Sequence, residues 1–162
     1  MEIRLANRDE LDIIMPLYEK ARAFMRENGN PTQWGTTEPT RETVENDILL
    51  GRCHLVTEQE EIAGVFYFEH GKDVEPCYAS IDGAWLNDAP YGVMHRVIST
   101  GKFPGVVEFA SNWCLERCSN LRIDTHANNR PMQSALRRCG FHYCGIVIVE
   151  DGTERLAYQK IV

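Results

Sequence analysis

The stretch from Gly92 to Val107 constrains the fold most, because its hydrophobic pattern changes period partway along. β-branched residues up to Ile98 favour a strand. Gly101 and Pro104 end it, because they supply unusual φ values and remove a backbone donor. Beyond them, apolar residues recur at helical spacing, at Val106, Ala110, Trp113 and Cys114. The stretch therefore predicts a strand, a tight turn and the start of an amphipathic helix.

The turn before this helix has the properties of an anion site. It leaves backbone N–H groups without partners at a helix N-terminus, with the basic side chain of Lys102 beside them. Oriented donors and the helix dipole attract phosphates in particular. The simpler interpretation is a plain strand–turn–helix connection with a solvated lysine, and this stretch alone does not decide between the two.

The next part of the chain continues the alternation of strands and helices. Residues 121–125 predict a short strand, and residues 128–131 begin a helix that stops at Gly140. The apolar residues of this helix fall at i, i+3, i+4 and i+7, namely Met132, Ala135, Leu136 and Cys139. Residues 141–149 predict a further strand.

This order of elements resembles the GCN5-related N-acetyltransferase (GNAT) superfamily over nearly the whole chain. The acyl-CoA loop of that superfamily follows Gln/Arg-x-x-Gly-x-Gly/Ala, and the loop here reads Lys102-Phe103-Pro104-Gly105-Val106-Val107. The later helix of the superfamily reads roughly Asn-x-x-Ala-x-x-x-Tyr-x-x-x-Gly-Phe, and the matching segment here runs from Asn129 to Phe141. The resemblance implies one α/β domain spanning residues 1–162. Its sheet is expected to be mixed, mostly antiparallel, flanked by helices on both faces and splayed between residues 93–99 and 121–125.

The resemblance also implies a reaction. It is the transfer of an acetyl group from acetyl-CoA, a co-substrate, to a primary amine of a small molecule or protein, by direct attack and with no metal. The six loop residues would hold the pyrophosphate through their backbone donors. Val97 and Ile98 would pair their backbone with the pantetheine arm, and a backbone N–H near Val97 would polarise the thioester carbonyl. Asn129 would contact the arm, although it also suits the plain role of a helix cap.

Two departures from the superfamily pattern keep other functions open. Pro104 removes one N–H donor from the loop, and Phe103 and Val107 stand where small or basic residues are usual. Leu136 occupies the place of the tyrosine that often protonates the departing thiolate. A second hypothesis is therefore a non-catalytic acyl-CoA-binding or sensing domain of the same fold. A third is an interaction module that uses exposed Trp and Tyr side chains without CoA.

Two histidines are the candidates for proton transfer. His95 lies on the predicted acyl-CoA strand, and His126 follows Asp124 by two residues. Strand alternation predicts Asp124 and His126 on one side, where the carboxylate would orient or charge the imidazole. The ordinary histidine pKa suits a base near neutral pH, but either residue could be purely structural. Tyr143 is the candidate to replace the missing tyrosine, with a strand aromatic as the competing interpretation.

Three aromatic residues are candidates for the acceptor side. Trp34 lies in a polar loop, where it forms a wall of the acceptor pocket or packs over a core edge. Trp85 and Tyr91 come just before the acyl-CoA strand. They line the acceptor side or cover the sheet edge, and the sequence does not separate these interpretations.

Composition limits the partners. Seventeen basic and twenty-four acidic side chains give a net charge of −7, which disfavours nucleic acid and anionic membranes, because phosphate binding needs a basic surface. The surplus of acid is compatible with a cationic amine. No apolar run reaches membrane-spanning length, and the N-terminus lacks a signal-peptide pattern. We therefore expect a cytoplasmic protein, and a homodimer paired through sheet edges is common in the superfamily.

The six cysteines are expected to be reduced and mostly structural, because several lie on apolar faces of predicted elements. A zinc site would need ligands from one group that lacks a paired Cys-x-x-Cys, namely Cys114, Cys118, Cys139, His142 and Cys144.

Overall fold

Eight strands form one mixed sheet in the order β1-β2-β3-β5-β6-β8-β7-β4, in a computed structural model that describes Met1–Val162. The strands and helices are, in chain order, β1 (Glu2–Leu5), α1 (Leu11–Glu27), α2 (Arg41–Leu49), β2 (Cys53–Glu58), β3 (Glu61–Gly71), β4 (Asp82–Gly83), β5 (Tyr91–Ser99), α3 (Val106–Cys118), β6 (Asn120–Thr125), α4 (Arg130–Arg138), β7 (His142–Ile148) and β8 (Glu154–Ile161). Short 3-10 helices span Arg8–Glu10 and Pro76–Ala79. Every strand pair is antiparallel except β5 with β6. The predicted mixed, mostly antiparallel sheet is confirmed.

Helix ends follow the capping residues in the sequence. The Thr40 Oγ1 atom accepts a hydrogen bond from the Thr43 N–H at 3.2 Å and begins α2. The Asn129 Oδ1 atom does the same for the Met132 N–H, also at 3.2 Å, and begins α4. Each cap satisfies a donor that the first helical turn leaves free. Capping side chains therefore mark where both helices start.

The helices cover the two faces of the sheet in pairs. Helices α1 and α2 pack on one face in a cluster with β2, β3 and β5, centred on Ile14, Val44 and Leu55. Helices α3 and α4 pack on the other face in the largest core cluster, around Ala110, Leu115 and Leu136. Leu136, which stands where the superfamily has a tyrosine, is thus a fully buried core residue.

The sheet opens between its two parallel strands. Strands β5 and β6 are paired only at Gly92 with Leu121 and at Val93 with Arg122. Beyond Val93 the strands diverge, and the backbone of β5 has no pairing with β6. The predicted splay is confirmed, and its opening is where a ligand can enter the sheet.

The segment between β3 and β5 differs from the expected extra strand. Residues 78–85 predict a strand, but the structure has the Pro76–Ala79 3-10 helix and then only the two-residue strand β4. Pro76 stands at the start of this helix, where its fixed φ is compatible with a helical turn. The Tyr78 ring is buried in a third core cluster with Val93 and Ala157. The segment therefore covers the sheet rather than extending it.

None of the helices combines the length and apolar character that a membrane crossing requires. All six cysteines are free thiols. No group of three or more His, Cys, Asp or Glu side chains is arranged to share a metal ion.

Candidate active site

A cavity of about 610 Å³ occupies the opening between β5 and β6. Its inner wall comes from the diverging strands, through Met94, Val97, Ile123 and Thr125. The loop between α1 and α2 contributes Trp34, and the start of β8 contributes Arg155. The cavity thus brings together segments that are far apart in the sequence, and it is large enough for a small ligand.

A bulge in β5 shapes the cavity wall. Val65 pairs with Ile98 and Tyr67 with His95, so Phe66 opposes both Arg96 and Val97. Arg96 has a φ of +50°, a left-handed conformation that costs a non-glycine residue free energy. Such strain at a site persists only where the surroundings hold it.

Two helices hold this bulge in place. The Arg96 Nε and Nη2 atoms donate to the Asp47 carboxylate on α2 at 2.8 and 2.9 Å. The Tyr18 hydroxyl on α1 donates to the Arg96 carbonyl at 2.9 Å. Burial raises the pKa of Asp47, against the opposing effect of the Arg96 charge.

A histidine–carboxylate pair stands on one wall of the cavity. His95 Nε2 lies 2.7 Å from Glu75 Oε2, and His95 Nδ1 lies 3.7 Å from Asp124 Oδ2. Burial acts to raise the pKa of Glu75, but the hydrogen bond and charge of His95 outweigh it and lower that pKa. The imidazole is therefore positioned by carboxylates on both ring nitrogens.

Tyr78 fixes the second of these carboxylates. Its hydroxyl donates to Asp124 Oδ2 at 2.6 Å. Full burial, together with the neighbouring Asp124 charge, raises the pKa of Tyr78 well above its ordinary value. The phenol therefore stays protonated and acts as a hydrogen-bond donor to Asp124.

The predicted pairing of Asp124 with His126 is wrong. Strand β6 ends at Thr125, so alternation no longer sets the direction of His126. The His126 ring instead contacts Thr32 Oγ1 at 3.3 Å and the Asn128 N–H at 3.0 Å. Burial and the Arg155 charge lower the pKa of His126.

The start of α3 lies close to the sheet and has free donors. A Cβ on Gly64 would meet Val106 Cγ1 at 2.5 Å, so only a glycine lets the helix approach β3 this closely. Gly105 precedes the helix with a φ of +81° and no side-chain cap. The first helical hydrogen bond runs from the Phe109 N–H to the Gly105 carbonyl at 2.9 Å. The N–H groups before Phe109 are left for another acceptor.

The other loop residues have mixed surroundings. Lys102 forms an exposed ion pair with Glu61. Phe103, Val106 and Val107 contribute apolar contacts to the core cluster under α3, whereas Pro104 is exposed.

Asn129 connects α4 to the loop between α1 and α2. Its Nδ2 donates to Gln33 Oε1 at 3.0 Å while its Oδ1 caps the helix. Both residues line the cavity. The helix-cap role expected for Asn129 is confirmed.

The candidate aromatic residues separate into two groups. Trp34 packs edge-on against Tyr18, with ring centroids 5.7 Å apart, as the packing interpretation predicts, and it also lines the cavity. Trp85 and Tyr91 do not line the cavity: the Arg122 guanidinium lies over both rings, at 4.3 and 4.0 Å. For these two residues the structure supports the covering role over the acceptor role.

Two further candidates lie away from the cavity. Tyr143 is 56% exposed on β7 and packs edge-on against Tyr158, so the structure gives it no place near the departing thiolate. The Ile98 side chain is buried against α1 and α2, leaving only its backbone for the expected pairing.

Sequence reasoning missed three residues of this site. Glu75 lies in an irregular segment that carries no motif, and its partner His95 is 20 residues away. Thr125 is 1% exposed, lines the cavity and makes no hydrogen bond through its hydroxyl. Arg155 is the second residue of β8 and is buried at the cavity wall.

Solved structures provide the comparisons. A GNAT-family acetyltransferase from Streptococcus agalactiae 2603 is 33% identical, over 99% of this chain and 95% of that chain, with a TM-score of 0.89. A candidate acetyltransferase from Staphylococcus aureus Mu50 is 25% identical, over 99% of each chain, with a TM-score of 0.72. AAC(6')-Ib in complex with ribostamycin and coenzyme A is 15% identical, over 98% of this chain and 92% of that chain, with a TM-score of 0.67, and shows likeness of fold alone. No family model and no curated protein matches the sequence.

Proposed function

Because the chain belongs to the GNAT family of acetyltransferases, we propose that it transfers an acetyl group from acetyl-CoA to a primary amine by direct attack on the thioester. The acceptor amine belongs to a small molecule or a protein. The observation that carries the proposal is the His95–Glu75 pair on the wall of the cavity between β5 and β6. Family membership supports the acetyl donor, and the pair supports the proton transfer.

The residues at the start of α3 fit the phosphates of acetyl-CoA. The free N–H groups of the first turn and the helix dipole favour an anion there. Gly105 leaves open space, since a Cβ built on it would meet no atom within 4 Å. The exposed Lys102–Glu61 pair adds little to stability, so Lys102 is free to move to a phosphate.

The edge of β5 fits the rest of the co-substrate. Its backbone beyond Val93 has no strand partner on the β6 side, so Val97 and Ile98 offer donors and acceptors to an amide-containing arm. The bulge at Arg96 turns the backbone at this point, and a preorganised N–H there would stabilise negative charge on the carbonyl oxygen. Asn129 borders the same opening from α4.

His95 and Glu75 would take the proton from the acceptor amine. Acetyl-CoA supplies an activated acetyl thioester: the amine nitrogen forms the new N–C bond, and the C–S bond breaks. The Glu75 carboxylate, ionised because its pKa is lowered, stabilises positive charge on His95 as the imidazole accepts the proton. Asp124, held by Tyr78, keeps the ring oriented.

The departing thiolate has no tyrosine to protonate it. Leu136 fills that position in the core, and Tyr143 is not among the residues that line the cavity. A thiolate is a stable leaving group, because the pKa of a thiol is about 8.5. The missing tyrosine still favours one alternative, a non-catalytic acyl-CoA-binding domain of the same fold.

Thermal melting with acetyl-CoA, CoA or ATP tests the donor. A ligand that binds only the folded state stabilises it by about 2.7 kcal/mol at a hundredfold excess over Kd. We expect a raised midpoint with acetyl-CoA and with CoA but not with ATP. No shift at millimolar acetyl-CoA would contradict the proposal and favour an interaction module.

Release of the CoA thiol in the presence of amines tests the reaction. Wild-type turnover that is lost in His95→Gln would support the transferase. A raised melting midpoint with no turnover across a broad amine panel would instead identify the non-catalytic acyl-CoA-binding domain.

A further inference from the structure

The cavity wall carries a buried cation whose hydrogen bonds all go to neutral atoms. Arg155 is 6% exposed and lines the same cavity as His95 and Asp124. Its Nη1 atom donates to Thr153 Oγ1 at 2.8 Å and to the Glu154 carbonyl at 2.9 Å. Its Nη2 atom donates to the Gln33 carbonyl at 3.3 Å. Buried arginines are normally paired with an opposite charge, and this one has no carboxylate in contact.

The unused donors of Arg155 lie on Nε and Nη2, the two nitrogens of one edge of the guanidinium. An arginine has five N–H donors, and the three hydrogen bonds above leave the Nε–H and one Nη2 N–H without a protein acceptor. Nε and Nη2 are the two atoms through which Arg96 holds the Asp47 carboxylate. The free edge of Arg155 therefore has the geometry for bidentate binding of a carboxylate.

The acidic groups nearest Arg155 leave this edge free. Asp151 reaches it only indirectly, because Thr153 Oγ1 donates to Asp151 Oδ1 at 2.5 Å and separates the two charges. The Asp151 carboxylate is fully exposed, so water screens it. Glu150, also on the cavity rim, makes no ion pair with Arg155. The guanidinium charge is thus available to a ligand.

Arg155 lies on the same face of the sheet as Asp124, the carboxylate beside His95. Asp124 on β6 is directly opposite Ala157 on β8, and Arg155 comes two residues before Ala157. Residues two apart on a strand share a face, and diagonal neighbours on paired strands lie about 7–8 Å apart. A small molecule can therefore contact Arg155 with one end and approach His95, beside Asp124, with the other.

We propose that the acceptor is a free amino acid, whose carboxylate binds the free edge of Arg155 while its amine faces His95 and Glu75. This inference rests on the proposed acetyl transfer. The amine nitrogen forms the N–C bond to the acetyl group, the C–S bond breaks, and the amine proton passes to the His95–Glu75 pair. The carboxylate stays unchanged, so the product is an N-acetyl amino acid and CoA.

The charges around the cavity fit a zwitterion better than a simple acid or a simple amine. Carboxylates of Glu38, Glu75 and Asp124 line it together with Arg155. They attract an ammonium group and repel a ligand that carries only negative charge. Arg155 adds the attraction for a carboxylate, so a molecule with both groups gains from both.

Matched pairs of amino acids and their carboxamides test the proposal, with glycine, β-alanine and 4-aminobutyrate extending the series by chain length. Release of the CoA thiol measures acetyl transfer, and calorimetry measures binding of each amino acid or amide to the protein–CoA complex. We expect the best amino acid to exceed its amide by about 10- to 100-fold in kcat/KM, the range for a charge-assisted hydrogen bond. Arg155→Met should remove this preference, and Arg155→Lys should weaken it, since lysine keeps the charge but lacks the planar fork.

Thr153→Ala is the matched control, because it disturbs the turn before β8 without removing the Arg155 guanidinium. It removes one neutral partner of Arg155 but keeps the guanidinium, so the preference for acid over amide should persist. Acetyl-CoA affinity should be unchanged in the Arg155 variants. A loss of that affinity would overturn the proposal and assign Arg155 to a phosphate of the co-substrate.

Two further results would overturn the proposal. Acetylation of amides, or of peptides with an amino terminus and a blocked carboxyl end, at the same rate as the free acids would be the first. Equal binding of acid and amide in calorimetry on the protein alone would be the second. The second readout needs no acetyl-CoA, so it decides the carboxylate site even if acetyl-CoA does not bind and the proposed function fails.

Discussion

Arg96 and Asp47 form a bidentate ion pair that connects the bulge of β5 to helix α2. The Arg96 Nε and Nη2 atoms lie 2.8 and 2.9 Å from the Asp47 carboxylate oxygens. The two partners differ in exposure: the Asp47 side chain is 9% exposed and the Arg96 side chain 24%. A buried charge that loses its partner is costly, whereas an exposed one can be hydrated. The pair therefore stabilises the fold and sets the backbone of the site at once.

Removing either partner should have unequal effects. Arg96→Met leaves the buried Asp47 carboxylate without its partner and is expected to lower the free energy of unfolding by about 3 kcal/mol. Asp47→Ala leaves an arginine that can reach water, and should cost about 1 kcal/mol. Chemical denaturation measures both. The double variant Arg96→Met/Asp47→Leu should be more stable than Arg96→Met, and a double variant less stable than either single one would contradict this explanation.

The cost of Arg96→Met should depend on pH. Burial already raises the pKa of Asp47, and the Arg96 charge opposes that rise; without Arg96 the pKa rises further. Between this raised pKa and the unfolded value near 3.8, the folded state binds a proton that the unfolded state does not. Lowering the pH through that window therefore stabilises the folded variant relative to its value at neutral pH. Denaturation at a series of pH values checks this, and a pH-independent cost would speak against it.

The Glu75–His95 pair gives a kinetic prediction. Glu75→Gln keeps the side-chain shape but removes the charge that stabilises protonated His95, so kcat should fall by about 100-fold or more. Acetyl-CoA affinity should not change. Glu69→Gln is the matched control, because that carboxylate binds Arg52 and Tyr67 outside the cavity. An equal loss in both variants would mean that the effect is not specific to the pair.

Glu75 should also affect stability in acid. Although burial acts to raise its pKa, contact with His95 lowers it below the ordinary value of 4.5 overall. A carboxyl with a lowered pKa in the folded state contributes stability above 4.5 that is lost as the pH falls through the folded pKa. The stability difference between wild type and Glu75→Gln should therefore shrink as the pH falls below 4.5 and disappear once Glu75 is protonated in the folded state. Denaturant titrations at a series of pH values from 7 downwards measure it, and a difference that does not shrink below pH 4.5 would be inconsistent with this linkage.

The order of elements could be predicted because local rules determine it. Changes of hydrophobic period marked the strands and helices, and the caps at Thr40 and Asn129 marked where two helices begin. The splay of β5 from β6 came from the family resemblance and is confirmed. These features depend on neighbours close in sequence or on the family's topology.

The contacts of the site could not be predicted, because they join distant segments. Glu75 contacts His95 only because the segment before β5 folds back under the sheet, and no periodic pattern specifies that path. Alternation placed Asp124 and His126 together, but it applies only inside a strand, and β6 ends between them. Arg155 carries no motif, and its importance comes from burial that the sequence does not reveal.

Gly105 gives a test of the anion site at α3. Gly105→Glu places a negative charge where the phosphates of acetyl-CoA are proposed to bind, so binding should be lost. The positive φ makes any side chain here cost about 1 kcal/mol. Gly51→Glu is the matched control, because Gly51 also has a positive φ of +67° and open space around it. Calorimetry should show acetyl-CoA binding in the control alone, and unchanged affinity in folded Gly105→Glu would remove this loop from the site.

Thr125 gives a test of whether a cavity residue lowers the stability of the folded protein. Its hydroxyl is buried at the wall and makes no hydrogen bond, and such a group typically costs about 1–3 kcal/mol. Thr125→Val keeps the β-branched shape that suits a strand and removes the hydroxyl. We expect it to be more stable by about 1 kcal/mol, or about 2–4 °C in Tm.

The same substitution should lower activity if the hydroxyl serves the ligand. Thr125→Ser is the control: it keeps the hydroxyl and loses a buried methyl group, so it should lose stability and keep acetyl transfer. A higher Tm with lower turnover in Thr125→Val, and a lower Tm with unchanged turnover in Thr125→Ser, would indicate that the hydroxyl contacts a ligand and does not serve the core. A Thr125→Val protein that is less stable than wild type would contradict the interpretation that this hydroxyl is buried without a partner.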